Sequence, residues 1–250
     1  MPCGGRGTRL YPISRWIPKE LLPVGLRPLL FWTLDEIVSA GLRRAIVVTN
    51  PEKPILEAVA RDYGRELALE FVSQDVPRGL GDALLRAADM LGGSPFAVAL
   101  PDNLFRGNNP LAAVLQTGRT TGLATVLLAE VSRPEAAAKG ATGRAVVRPS
   151  ADGSLRVVAI AEKSRGRFDP GEAGSAMTPI GRFVLPGDIF AEFKDVARGL
   201  PPEAELDDVP VLQRLAARGA LAGTVCEATF YDVGVPEGYH DAVATFPPKV

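Results

Sequence analysis

Histidine occurs once in this chain and cysteine twice, among 250 residues. The single imidazole, His240, has no second histidine for a His-rich metal site and no serine or cysteine motif beside it, so it reads as a helix-face residue. Cys3 and Cys226 show no metal-ligand spacing. Two cysteines in a large chain suit a reduced, cytoplasmic protein, although sequence alone leaves a disulfide between them open. Long hydrophobic runs are missing as well. No stretch approaches the roughly eighteen apolar residues of a membrane helix, and no basic-then-apolar leader opens the chain, so neither a membrane span nor a secretion signal is expected. Excess charge of either sign is also absent. A formal net charge of −1 offers no footprint for nucleic acid or an anionic membrane, so any phosphate binding must be local.

What is present is a chain 46% hydrophobic and 23% charged, enough to bury a sizeable core across residues 1–250 as a single domain. Residues 45–49, 67–72 and 96–100 are short, continuously apolar runs, predicted as strands buried on both faces. They alternate with helical patterns at 30–41, where Leu30, Leu34, Ile37 and Val38 share a face, and at 55–62 and 81–91. This alternation predicts an α/β fold, a doubly wound (Rossmann-like) and mostly parallel sheet that binds ligands at the carboxyl ends of its strands. The second half changes character. Strands are predicted at 123–131, 144–148, 157–162 and 180–185 with few helices between them, an extension with antiparallel pairing. Helices return at 189–198, 209–218 and 236–246, around strands at 221–226 and 229–233. The Pro-, Ala- and Gly-rich segments 133–142 and 164–176 read equally as loops over a site or as plain linkers.

The most informative stretch lies at the start. Gly4, Gly5 and Gly7 surround Arg6, Thr8 and Arg9 follow, and Lys19 stands between Pro18 and Pro23. Glycines let backbone N–H groups approach an anion, though a turn or helix start uses them for conformation alone. Arg9 and a lysine on a proline-stiffened segment tilt the reading toward phosphate. Asp102 follows the strand at 96–100 and Asp232 ends the strand at 229–233, so each is either a candidate ligand for Mg²⁺, which favours a few hard oxygens, or an ordinary turn carboxylate. Gln74, at another strand end, offers a donor and an acceptor that would suit a base edge; a surface glutamine is the plainer alternative.

Taken together, Gly5-Arg6-Gly7-Thr8-Arg9, Pro12 and Pro18-Lys19-Glu20-Leu21-Leu22-Pro23-Val24 resemble G-x-G-T-R-x-x-P followed by P-K-x-x-L-P-V, the two-part signature of the sugar-1-phosphate nucleotidylyltransferases. The Lys-Glu pair of the second part looks most like the bacterial UTP–glucose-1-phosphate uridylyltransferases. The resemblance implies a nucleotide-binding part, 1–118, and a sugar-binding part, 119–250. It implies Arg9 and Lys19 as catalytic cations, and Gly4, Gly5, Gly7, Thr8, Gln74 and Gly79 as nucleotide-binding residues. Asp102 and Asp232 match its L-x-D and Y-D-V-G motifs, which hold Mg²⁺. Glu162-Lys163 resembles its V-E-K-P segment for sugar hydroxyls and phosphate, with Ala161 and Ser164 as departures, and Gly143 fits the glycine that admits a sugar ring. In Gly181-Arg182-Phe183-Val184-Leu185 the arginine reads as structural. Asp207-Asp208 reads as a capping turn, and Arg165 and Arg167 as a solvated basic loop.

The expected activity is nucleotidyl transfer from an NTP to a sugar 1-phosphate, in a protein whose partners are those substrates and which is compatible with a homo-oligomer. UTP and glucose 1-phosphate are favoured. The compact stretch from Asn50 to Gln74, more like thymidylyl-, cytidylyl- and mannose-directed relatives, keeps dTTP, CTP or GTP and mannose 1-phosphate open. A non-catalytic nucleotide-sugar sensor is the other class of reading. Only Met1-Pro2-Cys3 precede the loop, where relatives carry a short apolar strand, so the first strand of the sheet is expected to be missing.

Overall fold

The computed structural model describes residues 1–64, 66–151, 153–163, 167–201 and 203–246; Ser164 and Arg165, both singled out above, lie outside them. In chain order the strands are β1 (Pro23–Val24), β2 (Arg27–Pro28), β3 (Arg44–Thr49), β4 (Ala68–Ser73), β5 (Phe96–Ala99), β6 (Asn103–Arg106), β7 (Ala124–Ser132), β8 (Ala145–Pro149), β9 (Leu155–Ile160), β10 (Ser175–Leu185), β11 (Leu221–Val225) and β12 (Thr229–Asp232). The helices are α1 (Leu29–Ser39), α2 (Pro54–Arg61), α3 (Leu80–Arg86), α4 (Ala88–Leu91), α5 (Pro110–Thr121), α6 (Arg133–Ala136), α7 (Phe190–Arg198), α8 (Val209–Ala217) and α9 (Pro236–Thr245). None is long and apolar enough to cross a membrane.

Helix boundaries follow local chemistry. Proline opens α2, α5 and α9 and stands second in α8, positions where its missing N–H costs nothing. Asn109 caps α5 by accepting the N–H of Ala112 at 2.9 Å, and Gly122 ends it in the left-handed conformation.

Pairing corrects the expectation of a mostly parallel sheet. The six-stranded sheet runs β5-β10-β7-β11-β9-β8, and among the described residues parallel pairing is confined to β7–β11, β3–β4 and a bridge from Pro2 to Val48. The reason is β10, eleven residues long, which runs antiparallel to both β5 and β7 and so lies between them. Alternation along β7 sends Val126 and Leu128 into a core with Leu84, Phe193 and Leu212, while Leu127 and Val131 pack on the other face with Val114 of α5. Burial on both faces explains why this strand reads as one apolar run.

The place of the first strand beside β3 is taken in part by residues 1–3. Cys3 donates its N–H to the Val48 carbonyl at 2.8 Å, and the Met1 carbonyl accepts from Val48 at 2.9 Å, so residues 1–3 occupy its inner end. Between β3 and β5, where such a strand would continue, lies an apolar cavity of about 550 Å³ lined by Met1, Ile46, Val98, Leu111 and Leu185 among others. Besides the short β1, β2 and α6, two longer elements escaped the sequence pattern, α5 and β6. Of these, β6 matters most, because its antiparallel pairing with β12 sets Asn103 opposite Asp232.

Candidate active site

The glycine loop leaves this short first strand at Cys3. Among the described residues, the backbone N–H groups of Gly4, Gly5, Arg6 and Gly7 meet no protein acceptor, whereas the Gly7 carbonyl is tied down by the Ser14 hydroxyl at 2.8 Å. Gly5, Arg6 and Thr8 are exposed and Gly4 is buried, and a run of unpaired backbone donors of this kind suits an anion.

Lys19 borders that loop. Its side chain passes beside Gly7 and its ammonium donates to Oδ2 of Asp102 at 2.5 Å. Burial pulls the Lys19 pKa down, but the charges of Asp102 and Glu20 outweigh it and hold the ammonium above the ordinary lysine value. Burial acts on Asp102 in the opposite sense, and the Lys19 charge and hydrogen bond overcome it to leave the carboxyl below its usual range. Both groups are therefore charged near neutral pH.

Asp232 completes the cluster from the end of β12. Its Oδ2 accepts the Gly140 N–H at 2.6 Å and its Oδ1 the Gly234 N–H at 3.1 Å. A side chain at Gly234 would sit 3.0 Å from both Asp102 Oδ2 and Asp232 Oδ1, so the two carboxylates face one gap. Burial, followed by the Asp102 charge, raises the Asp232 pKa. Two carboxylates that destabilise each other across a gap form a donor set of hard oxygens that fits a divalent cation completed by water and phosphate oxygens. At Gly140 the Arg9 guanidinium lies over the backbone beside Asp232, in the place a Cβ would take.

The turn carrying Asp102 is braced by Arg182 together with Glu36, which the sequence did not mark. Arg182, fully buried, forms a two-point pair with Glu36 at 2.8 and 2.7 Å and donates to the Leu100 and Asn103 carbonyls at 2.8 and 3.0 Å. The structural reading of this arginine stands, and its object is the turn that carries Asp102.

Gln74, also buried, donates through Nε2 to the Gly79 carbonyl at 3.1 Å and to Asp82 at 2.7 Å, with its amide oxygen against Gly4. Gly79 has φ +93° and abuts the Leu206 carbonyl, so only glycine fits there. Arg9, Lys19, Asp102, Asp232, Gln74 and the loop glycines thus adjoin one another directly.

The residues that the resemblance assigns to the sugar phosphate have other surroundings. Gly143 packs against the Ala161 carbonyl, with its own carbonyl held by Thr178 at 2.9 Å, which accounts for glycine at that position by packing. Glu162 is exposed. Lys163 binds Asp207 at 2.7 Å and approaches Asp208 to 3.4 Å. Here the capping expectation for Asp207-Asp208 is corrected: neither side chain caps α8, and the acidic pair instead neutralises Lys163. Burial and the neighbouring Asp207 push the Asp208 carboxyl up to about 7. Arg167 pairs with Glu237, and exposed His240 lies on α9 as expected.

The pattern of the family described as Nucleotidyl transferase matches residues 3–247. A UTP–glucose-1-phosphate uridylyltransferase of Klebsiella pneumoniae is 28% identical over 98% of this chain and 90% of its own length, and one of Pseudomonas aeruginosa is 28% identical over 96% and 92%. Among solved structures, a UDP-glucose pyrophosphorylase complexed with UDP-glucose superposes with a TM-score of 0.83 at 27% identity, covering 98% of this chain and 96% of that one. A UTP-bound UGPase of Acinetobacter baumannii gives 0.80 at 25%, covering 98% and 91%. With a glycine loop of unpaired N–H donors, two cations and paired carboxylates in one cluster, and a family match across nearly its whole length, the chain belongs to the nucleotidyl transferases.

Proposed function

We propose that this protein transfers a uridylyl group from UTP to glucose 1-phosphate, giving UDP-glucose and pyrophosphate. The observation that carries this reading is the cluster at the mouth of the loop, where unpaired N–H groups, Lys19 on Asp102 and Arg9 beside Asp232 adjoin one another. The phosphate oxygen of the sugar 1-phosphate attacks the α-phosphorus and forms a new O–P bond. The bond from that phosphorus to the bridging oxygen breaks, and pyrophosphate departs with the electron pair. The nucleophile is already anionic near neutral pH, so no general base is required, in keeping with a site that contains no histidine.

Alignment and charge neutralisation remain as the work of the protein. In this reading the loop N–H groups and Thr8 hold the triphosphate, Lys19 and Arg9 offset charge building on the phosphoryl oxygens, and Gln74 with Gly79 receives the uracil. Glu162, Lys163 and Gly143 belong to the sugar phosphate, for which Lys163 must exchange Asp207 for phosphate. Asp102 and Asp232 would hold Mg²⁺, which when bound screens the phosphates and stabilises the leaving pyrophosphate. Residues 1–118 would carry the nucleotide and 119–250 the sugar, in a cytoplasmic protein able to self-associate.

The names of the relatives favour UTP over the other triphosphates. Pyrophosphate release across UTP, dTTP, CTP and GTP, each with glucose 1-phosphate and mannose 1-phosphate, tests this directly. Greatest turnover with UTP and glucose 1-phosphate is expected. Greatest turnover with another pair would reassign the substrate, and no release alongside measurable UTP binding would mark a sensor.

A further inference from the structure

Behind the glycine loop lie three buried polar groups that the chemistry above does not use: Lys53, Asn50 and Glu20. Lys53, only 8% exposed in the turn between β3 and α2, donates through Nζ to the Cys3 carbonyl at 2.8 Å and the Gly5 carbonyl at 2.5 Å. The same ammonium meets both oxygens of Glu20, at 2.9 and 3.1 Å. An ammonium has three N–H bonds, and these contacts occupy all of them, so Lys53 has no donor left for a substrate. Asn50 takes the carbonyl in between, donating to Gly4 at 3.3 Å.

Three consecutive carbonyls are therefore drawn to one side of the loop. In a planar trans peptide the N–H of the following residue points opposite its carbonyl. The N–H groups of Gly4, Gly5 and Arg6 are thereby turned away from Lys53 and Asn50, and these are among the loop donors that lack a protein acceptor. Glu20 adds a second constraint. It is wholly buried against Lys53, while Lys19, the preceding residue, reaches the other way to Asp102.

We propose that Lys53 is a positioning residue for the triphosphate: by anchoring the Cys3 and Gly5 carbonyls and Glu20 together, it aims the loop N–H groups outward and sets Lys19 relative to them. The proposal rests on the nucleotide reading of this loop. It assigns Lys53 no contact with substrate. A buried ion pair contributes little certain stability against an apolar replacement, whereas its geometry is specific.

Two variants separate aiming from mere stability. Lys53→Met removes the donors and strands a buried carboxylate, so it loses melting temperature. Lys53→Met/Glu20→Leu removes that unpaired charge and recovers much of the melting temperature, yet the carbonyls remain unanchored. UTP binding by calorimetry, without sugar phosphate, is expected to weaken about tenfold or more in both variants, with the KM for glucose 1-phosphate nearly unchanged. UTP affinity equal to wild type in the double variant would overturn the proposal. Should wild type itself fail to bind UTP, the nucleotide reading falls instead, which keeps the two failures distinct.

Discussion

Nζ of Lys19 lies 2.5 Å from Oδ2 of Asp102, and the two side chains are only 16% and 13% exposed. The contact couples a candidate catalytic cation to a candidate metal ligand, so a change at either alters the other. Lys19→Ala removes charge neutralisation and also releases Asp102 from its partner. Turnover is expected to fall by about two orders of magnitude or more, as when a transition-state contact is lost. Pyrophosphate release measures it, and an unchanged rate would remove Lys19 from the chemistry.

Asp232 faces the same gap as Asp102 but takes its support from backbone N–H groups. Asp232→Asn keeps its shape and lowers its charge, so the expected effect is on cation demand. After chelation, activity should return only at about tenfold or more higher Mg²⁺ than in wild type. Identical magnesium titrations for the two proteins would exclude Asp232 as a ligand.

Asp208 gives a pH signature distinct from the pair Asp102 and Asp232. Its carboxyl is raised from 3.8 to about 7 in the folded protein. Between those values the folded state keeps a proton that the unfolded chain has released, so this group's stabilisation is fully present at low pH and is lost as pH rises toward 7. The slope is at most about 1.4 kcal/mol per pH unit. Asp208→Asn should flatten urea-melt stability across this window, while Lys163 stays on Asp207. An unaltered slope in the variant would place the linkage elsewhere.

The cavity between β3 and β5 opens beside Met1, whose strand already runs parallel to β3. Five apolar, β-branched residues joined ahead of Met1 would extend that strand into the cavity and bury apolar area there. A rise in melting temperature is expected, about 2–4 °C for each kcal/mol gained. A polar extension of equal length serves as the control, and equal melting of both extended forms would refute the effect.

Motifs with unusual residues at fixed spacing were legible because each residue is informative where it stands: Arg9, Lys19, Asp102 and Asp232 all fall in one cluster. Lys53 was not legible. It reads as one more charge in the turn Asn50-Pro51-Glu52-Lys53-Pro54, and its partner Glu20 lies 33 residues away. The acidic pair Asp207-Asp208 hid for the same reason, since its lysine partner is 44 residues removed from Asp207. Helix α5 was missed although Asn109-Pro110 is a start signal, because its last turns carry Gly118, Thr120 and Thr121, weak helix formers. Most of the longer strands were found, β6 excepted, and their order was not. Apolar runs reveal burial on two faces, but the placement of antiparallel β10 between β5 and β7 depends on contacts far apart in sequence.

That placement also governs how the two halves can move. The carboxyl end of β10 pairs with β5, which precedes residue 118, while its amino end pairs with β7 and touches β8. One rod of eleven residues is thus hydrogen-bonded into both halves, with an irregularity only between Ile180 and Phe183. A hinge at the boundary between 118 and 119 would have to tear this ladder apart. The ladder ties the two halves together, and the segment from Arg133 to Gly140, whose last residue lies between Arg9 and Asp232, stands outside it.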